Sequence, residues 1–386
     1  MPVLSIDAPQ AQRVSNTKQR FEALEIAGLC TAITVAFALQ SPLTLIGGTL
    51  LCLLFVFRYR HLLPLRSGVT TPALLVMVLF SPAFFKPGHG FSPIFYLFST
   101  VVTFATAYVI TRFSARTILF AANILYWSLA VVVLIILAVY WGSPEPFGEV
   151  IEGASTNGIP AYIIVIQLFL CTITNVVAGR APILTPAITF MIAFYGNGRG
   201  SLIVGALLLL GSLVINLFPR KIPLFYRATL FALSIAVMAV IIINAAEIVD
   251  YLSRFTKLSV GVTDYNRAGI LESYLAKINP VTFFFGTDYS GTPIDFLYEG
   301  NPHISYIRLH SFFGIFPLLM AILSPAIIFF AKGGWMLKLP ILFFICLALL
   351  RAASEPILFP TLLDVFFFAM FFIFFRAREA AEVRHG

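Results

Sequence analysis

Long apolar runs separated by short polar segments recur along nearly the whole chain. Twelve of them reach or approach the roughly 20 residues that a helix needs to cross a bilayer. They lie at 25–40, 41–57, 67–85, 91–110, 118–142, 160–179, 182–196, 201–218, 228–249, 306–331, 339–353 and 356–375. The first two are nearly contiguous, and the seventh and eleventh are short. Period-two alternation, the mark of a membrane β-barrel, is absent. The pattern predicts an all-α polytopic membrane helix bundle of about twelve transmembrane helices.

The polar segments between the runs set the orientation. With the N-terminus placed inside and the sides alternated, the inner segments carry 17 of the 25 Lys and Arg residues. An excess of Lys and Arg in short loops marks the cytoplasmic side, so both termini are predicted cytoplasmic. The acidic stretch SPEPFGEVIEGASTNG (143–158) then falls outside. The predicted organisation is a tail over 1–24, helices one to nine over 25–249, one long outer connection over 250–305, helices ten to twelve over 306–375, and a tail over 376–386. The first 22 residues are polar, which predicts an uncleaved tail with the first span as insertion signal.

Composition narrows the class further. With 60% hydrophobic residues, 11% charged residues and 40 Phe, and a mean hydropathy of +0.96, the chain uses the lipid bilayer as its solvent. The four cysteines, Cys30, Cys52, Cys171 and Cys346, all sit in apolar runs without a CxxC pair. Neither a disulfide nor a zinc site is predicted, and no cofactor is expected. The formal charge of +8 follows from the inner loops, so nucleic acid is not an expected partner.

Arg199, Arg267, Arg308 and Arg351 all fall on the predicted outer side, against the inside rule. Arg199 stands in FYGNGRGS (194–201), where glycines expose backbone N–H groups just before a helix. That geometry suits a phosphate, and it equally suits a flexible turn with a snorkelling arginine. Arg267 shares an apolar face with Ile270, Leu271, Tyr274, Leu275 and Ile278 on an amphipathic helix that Asp264 can cap and Asn279-Pro280 ends. A charge on that face needs an anionic partner; a structural salt bridge or snorkelling at the edge is the alternative. Asn301 and Pro302 read as the start of the tenth helix, which puts His303 in its first turn with Ile307, His310 and Gly314 along the face. A helix N-terminus disfavours imidazolium, which keeps such a histidine neutral and able to act as a base. A solvated loop histidine is the alternative. Arg351, in LLRAASEP, ends the eleventh span. It is either a lip charge with a function or half of an ion pair with Asp364.

On these features the sequence resembles the O-antigen polymerase and O-antigen ligase superfamily of bacterial envelope glycan assembly. The resemblance rests on about twelve spans, the long outer loop between the ninth and tenth, and Arg199-Gly200 opening the eighth. It rests also on Arg267 with Pro280 and Gly286 downstream, and on His303 with Gly314 after it. Two positions depart from the family pattern: the usual Gly-x-Gly reads Gly286-Thr287-Asp288, and Ile304 stands where Asn often follows the histidine.

The resemblance implies polymerisation of lipid-linked oligosaccharide repeat units into exopolysaccharide or O-antigen at the periplasmic face of the inner membrane. The transfer is implied to be metal-independent and inverting, from a polyprenyl-pyrophosphate donor. A ligase of the same family, or a 12-span transporter or flippase, is the alternative. A chain-length regulator and other envelope glycan assembly proteins are the implied partners. Arg199 and Arg267 are candidates to stabilise the leaving pyrophosphate, and His303 to take the acceptor proton. Arg351 and Arg308 are candidate phosphate contacts, Tyr265 and Tyr289 candidate sugar-stacking groups, and Asp288 and Glu299 reserve bases.

Overall fold

The computed structural model describes residues 9–63, 92–143, 146–150, 158–196, 198–217, 225, 228–229, 232, 265–298 and 300–382. The elements among them are helical. In chain order they are α1 (Pro9–Ala38), α2 (Pro42–Arg58), α3 (Ser92–Arg112), α4 (Ala115–Val139), α5 (Gly158–Ala178), α6 (Leu184–Tyr195) and α7 (Arg199–Ile215). Then come α8 (Tyr265–Leu275), α9 (Pro280–Phe285), α10 (Pro293–Phe296), α11 (Ser305–Phe313), α12 (Ile315–Phe330), α13 (Trp335–Ala352) and α14 (Asp364–Glu382). No strand occurs among the described residues.

Among the described residues, six helices are long and apolar enough to cross a membrane: the Thr17–Ala38 part of α1, α3, α4, α5, α7 extended to Leu217, and α13. Three shorter apolar helices, α2, α6 and α12, accompany them. The chain is therefore multi-pass. The predicted third span and nearly all of the ninth lie outside the described residues. Large apolar side chains such as Leu43, Val139, Leu323 and Phe330 are exposed on the bundle, a surface that water would not tolerate and lipid satisfies.

The centre of the bundle is α5. Sixteen of its residues, including the run Pro160–Ile173, are buried, because it is apolar on all sides and has neighbours all round. It packs against α4, α6, α7, α13 and α14. Ser41 and Pro42 start α2 with Pro in the first turn, where its missing N–H is not needed. Ser114 caps α4, its hydroxyl accepting from Thr117 N–H.

The two ends of the bundle differ chemically. At one end Glu25 meets Arg58 at 3.0 Å and Tyr59 at 2.8 Å, and Tyr59 packs on Phe113. Arg376 donates to the carbonyls of Thr111 and Phe113 at that same end. At the other end lie Ser201, Arg267, Arg308, Arg351 and Glu355.

Two predicted spans are built differently from expectation. The tenth is not one helix: Gly314 breaks it, with φ 78° and ψ −166°, a conformation essentially restricted to glycine. A Cβ at Gly314 lies 1.9 Å from the Phe284 carbonyl oxygen, so the glycine also lets α9 press against the joint between α11 and α12. The twelfth span begins at Asp364, because 353–363 forms an irregular segment folded into the protein. Pro356 and Pro360 cannot donate to a helix ladder, which is why no helix forms there. The amphipathic helix ends at Leu275, and Asn279 instead caps α9 in a reciprocal capping box with Thr282.

Gly314→Ala should therefore be strongly destabilising. The backbone conformation alone costs about 1–3 kcal/mol, before the overlap with Phe284. The expected outcome is a lost or sharply lowered thermal transition in detergent, measured by tryptophan fluorescence, whereas Gly47→Ala, with open space around its Cβ position, shows little change.

Candidate functional site: a buried arginine–glutamate cluster

The last turn of α13 delivers Arg351 into the interior, where it is fully buried. Its Nη1 donates to Ser354 Oγ at 2.7 Å and its Nη2 to Ser201 Oγ at 2.9 Å. Glu355, four residues on and 3% exposed, places Oε1 3.9 Å from Arg351 Nη2. The same oxygen lies 2.8 Å from Arg267 Nη2. One carboxylate thus joins α13 to α8. This is the anionic partner that the position of Arg267 on an apolar face requires, since a charge out of water needs a counter-charge.

Gly200 explains how α7 approaches so closely. A Cβ there meets Ser354 Oγ at 2.7 Å and Arg351 Nη1 at 3.3 Å. The dipeptide after Arg199 therefore provides clearance at Gly200 and a hydroxyl at Ser201. Arg199 itself is the first residue of α7 and half-buried. Gly196 serves the preceding turn in the same way, since a Cβ there lies 2.7 Å from Pro160 and 2.8 Å from Phe147.

The floor of the site is the irregular segment 353–363, and α11 holds it. Ser305 Oγ donates to the Glu355 carbonyl at 2.7 Å and accepts from Leu358 N–H at 3.2 Å. Arg308 Nη1 donates to the Pro356 carbonyl at 3.2 Å. Asp364 accepts from the N–H groups of Phe359 and Thr361, each at 2.9 Å. The alternative Arg351–Asp364 ion pair does not form, because Asp364 is engaged by these backbone amides and Arg351 by Ser201, Ser354 and Glu355. The Tyr162 side chain of α5 lies in the field of Glu355, Arg308 and Arg351, and its hydroxyl accepts from Gln40 Nε2 at 3.4 Å. Beside it, Gln40, Thr49, Tyr96, Ser99, Arg308 and Thr361 help line a cavity of about 90 Å³.

The opposite face of α11 fixes the segment carrying Arg267. His310 is buried, with Nε2 2.9 Å from the Phe283 carbonyl and Nδ1 2.8 Å from Tyr274 OH. A carbonyl only accepts, so Nε2 carries the proton and Nδ1 accepts from the tyrosine. Ser311 Oγ donates to the Thr287 carbonyl at 2.7 Å. Ile270, Tyr274, Tyr289, Ile294 and Ile307 form a small separate core beneath α8. Burial raises the phenol pKa of Tyr274, and pushes that of Tyr289 up to about 12.

The remaining predicted residues fall into place around this frame. Tyr289 is buried in that small core. Asp288 pairs with Lys277 at 2.6 Å and accepts from Ser290 N–H at 3.1 Å; the Lys277 hydrogen bond holds its carboxyl below the usual range. His303 lies outside α11, whose N-cap is Ile304. Asn301 bonds the His303 N–H at 3.1 Å, closing a local turn instead of capping the helix. The ring meets Tyr298 edge-on at 4.9 Å, and the expected place in the first helical turn is taken by Ser305. Tyr265 opens α8, but its side chain and Glu299 lie outside the described residues. Glu355, Tyr162, Ser201, Ser354 and His310 were not singled out from sequence as site residues. The one available signal was Glu355 four residues after Arg351, a spacing that puts both on one helix face.

Two outcomes test this geometry. Gly200→Ala should lower thermal stability, and Ser354→Ala should partly rescue it because the closest clashing atom is removed. The double variant is then less destabilised than the sum of the singles, a coupling that thermal unfolding can read. Asp288→Asn should cost less than about 1 kcal/mol, as partly exposed pairs do. Because the folded-state pKa is lowered, the pair's contribution is present above the ordinary carboxylate pKa and lost only on acidification below it. Melting temperatures from pH 5 to 8 should therefore show a constant offset between Asp288→Asn and the parent chain.

No protein-family model, curated protein or solved structure matches this chain.

Proposed function

We propose that the protein polymerises lipid-linked oligosaccharide repeat units at the outer face of a bacterial inner membrane, by metal-independent inverting transfer from a polyprenyl-pyrophosphate donor. In this reading both termini are cytoplasmic, about twelve helices span the membrane, and the connection containing α8, α9 and α10 is a periplasmic loop. The observation that carries the reading is the convergence of Arg267 and Arg351 on a single carboxylate, with Arg308 close by at the same end. Guanidinium groups bind diphosphate oxygens in a planar fork, and a buried setting strengthens their hold on developing charge.

Two further features support a lipid-borne anion. An apolar groove of about 280 Å³ runs between α3, α12 and α14, from Phe359, Pro360 and Asp364 to Phe375. It fits a prenyl chain, and its upper end borders the segment that Arg308 and Asp364 hold. The segment bearing His303 adjoins the site through Ser305, whose hydroxyl contacts the Glu355 carbonyl. His303 is thus the proposed base for the acceptor hydroxyl. Arg199 is a proposed further cation at the start of α7, and the chain-length regulator remains a proposed partner.

Deletion of the gene in its host, with sizing of the accumulated glycan and its carrier, tests this function. Single repeat units without long polymer are expected. Full-length polymer stranded on the carrier indicates a ligase, repeat units trapped on the cytoplasmic side indicate a flippase, and unchanged glycan refutes the reading. Complementation with Arg267→Lys should fail about as completely as with Arg267→Ala, because lysine lacks the planar fork. Normal polymer from the lysine variant overturns that role.

A further inference from the structure

Glu355 is a buried carboxylate at the point where two cationic elements meet. Arg267 comes from α8 and Arg351 from α13, and both reach Oε1, at 2.8 Å and 3.9 Å. Tyr162 from α5 lies in the field of Glu355, of Arg351 and of Arg308 from α11. Asp364 from α14 is taken up by the N–H groups of Phe359 and Thr361, and Arg199 opens the neighbouring α7. An anion entering this seat therefore meets one already in it.

The balance of charge fixes the response of Glu355 to such an anion. A diphosphate diester brings two negative charges, which the two guanidinium groups touched by Glu355 balance. The carboxylate then loses its cations while buried and beside a like charge. Burial and an anionic neighbour both favour the protonated carboxyl, and an uncompensated buried charge is expensive. We infer that Glu355 is a resident stand-in for the substrate's diphosphate, displaced from Arg267 and Arg351 on binding and discharged by taking up one proton from solvent. The inference rests on the donor reading given above and adds to it a residue that sets affinity and links donor binding to pH. Diphosphate binding then strengthens as pH falls. The side chain also keeps the two arginines aligned in the empty protein, where mutual repulsion otherwise drives them apart.

The experiment uses the full chain in lipid nanodiscs and a synthetic diphosphate diester, with a short prenyl chain on one phosphate and a methyl group on the other. Both phosphates of this probe stay singly ionised across neutral pH, so protons exchanged on binding come from the protein. Calorimetric titration at one pH in buffers of different ionisation heat counts those protons. The expected result is binding with net proton uptake. Binding without uptake overturns the stand-in role while leaving the donor reading intact. Absence of binding overturns the donor reading itself. Glu355→Gln provides a second arm, checked for folding by its thermal transition: it should bind the probe about tenfold more tightly, a coupling within the usual range for two ligands of one seat, and without proton uptake. Binding equal to or weaker than that of the parent chain overturns the inference, and the parent titration alone decides it if the variant does not fold.

Discussion

An irregular backbone segment inside a membrane bundle has no water to complete its hydrogen bonds, so the protein must supply every partner. Residues 353–363 impose that demand here, and the structure around them is largely the answer to it. Pro356 and Pro360 remove two donors outright. Ser305 and Arg308 supply contacts from α11, Asp364 supplies two acceptors from α14, and the Thr361 hydroxyl donates to the Ile357 carbonyl and accepts from Leu363 N–H. The segment is held in one shape by side chains from helices remote in sequence. Glu355, at its start, inherits that rigidity, and a catalytic or binding group gains precision when its supports are fixed in this way.

The same helix, α11, faces both ways. One side holds the segment bearing Glu355, and the other holds the segment bearing Arg267 through His310 and Ser311. The Arg267–Glu355 contact is therefore one closure of a loop that runs through α11, and its geometry does not depend on the flexible reach of two long side chains alone. This is the arrangement expected where a buried ion pair fixes register rather than adding stability. Its interaction energy is offset by desolvation, but its alternatives leave a charge without a counter-charge.

Much of the frame was legible in the sequence because hydrophobic runs and arginine placement are local signals. Most of the described apolar runs fall on helices, with the exceptions of Gly314 and of 356–363, and Arg267, Arg308 and Arg351 gather at one end of the bundle through the contacts described. The illegible parts were non-local. Asn301 and Pro302 have the composition of a helix start, yet the Asn side chain is spent on the N–H of His303, and the helix waits until Ser305. Gly314 reads as clearance along a helix face, whereas the approach of Phe284, thirty residues earlier in the chain, makes it a break. Asp364 invited pairing with the nearest cation, but bare amides in the preceding segment compete for it at shorter range. Glu355 passed unnoticed because a glutamate beside a proline at the end of a span reads as solvent-exposed.

The Arg-Gly-Ser at 199–201 shows how such a motif divides its labour. The serine hydroxyl binds Arg351, and the glycine makes room for that arginine and for Ser354. Arg199 occupies the first turn of α7, an end of the helix where exposed N–H groups already favour an anion. A cation at that position is poorly placed for the helix, since the dipole opposes it. Its presence makes sense if a ligand bearing more negative charge than one carboxylate approaches from that side. On the proposed reading, the helix terminus and the arginine act on the ligand together. In its proposed role Glu355 mirrors this: an anion that is favourable while the seat is empty becomes unfavourable when a substrate anion fills it.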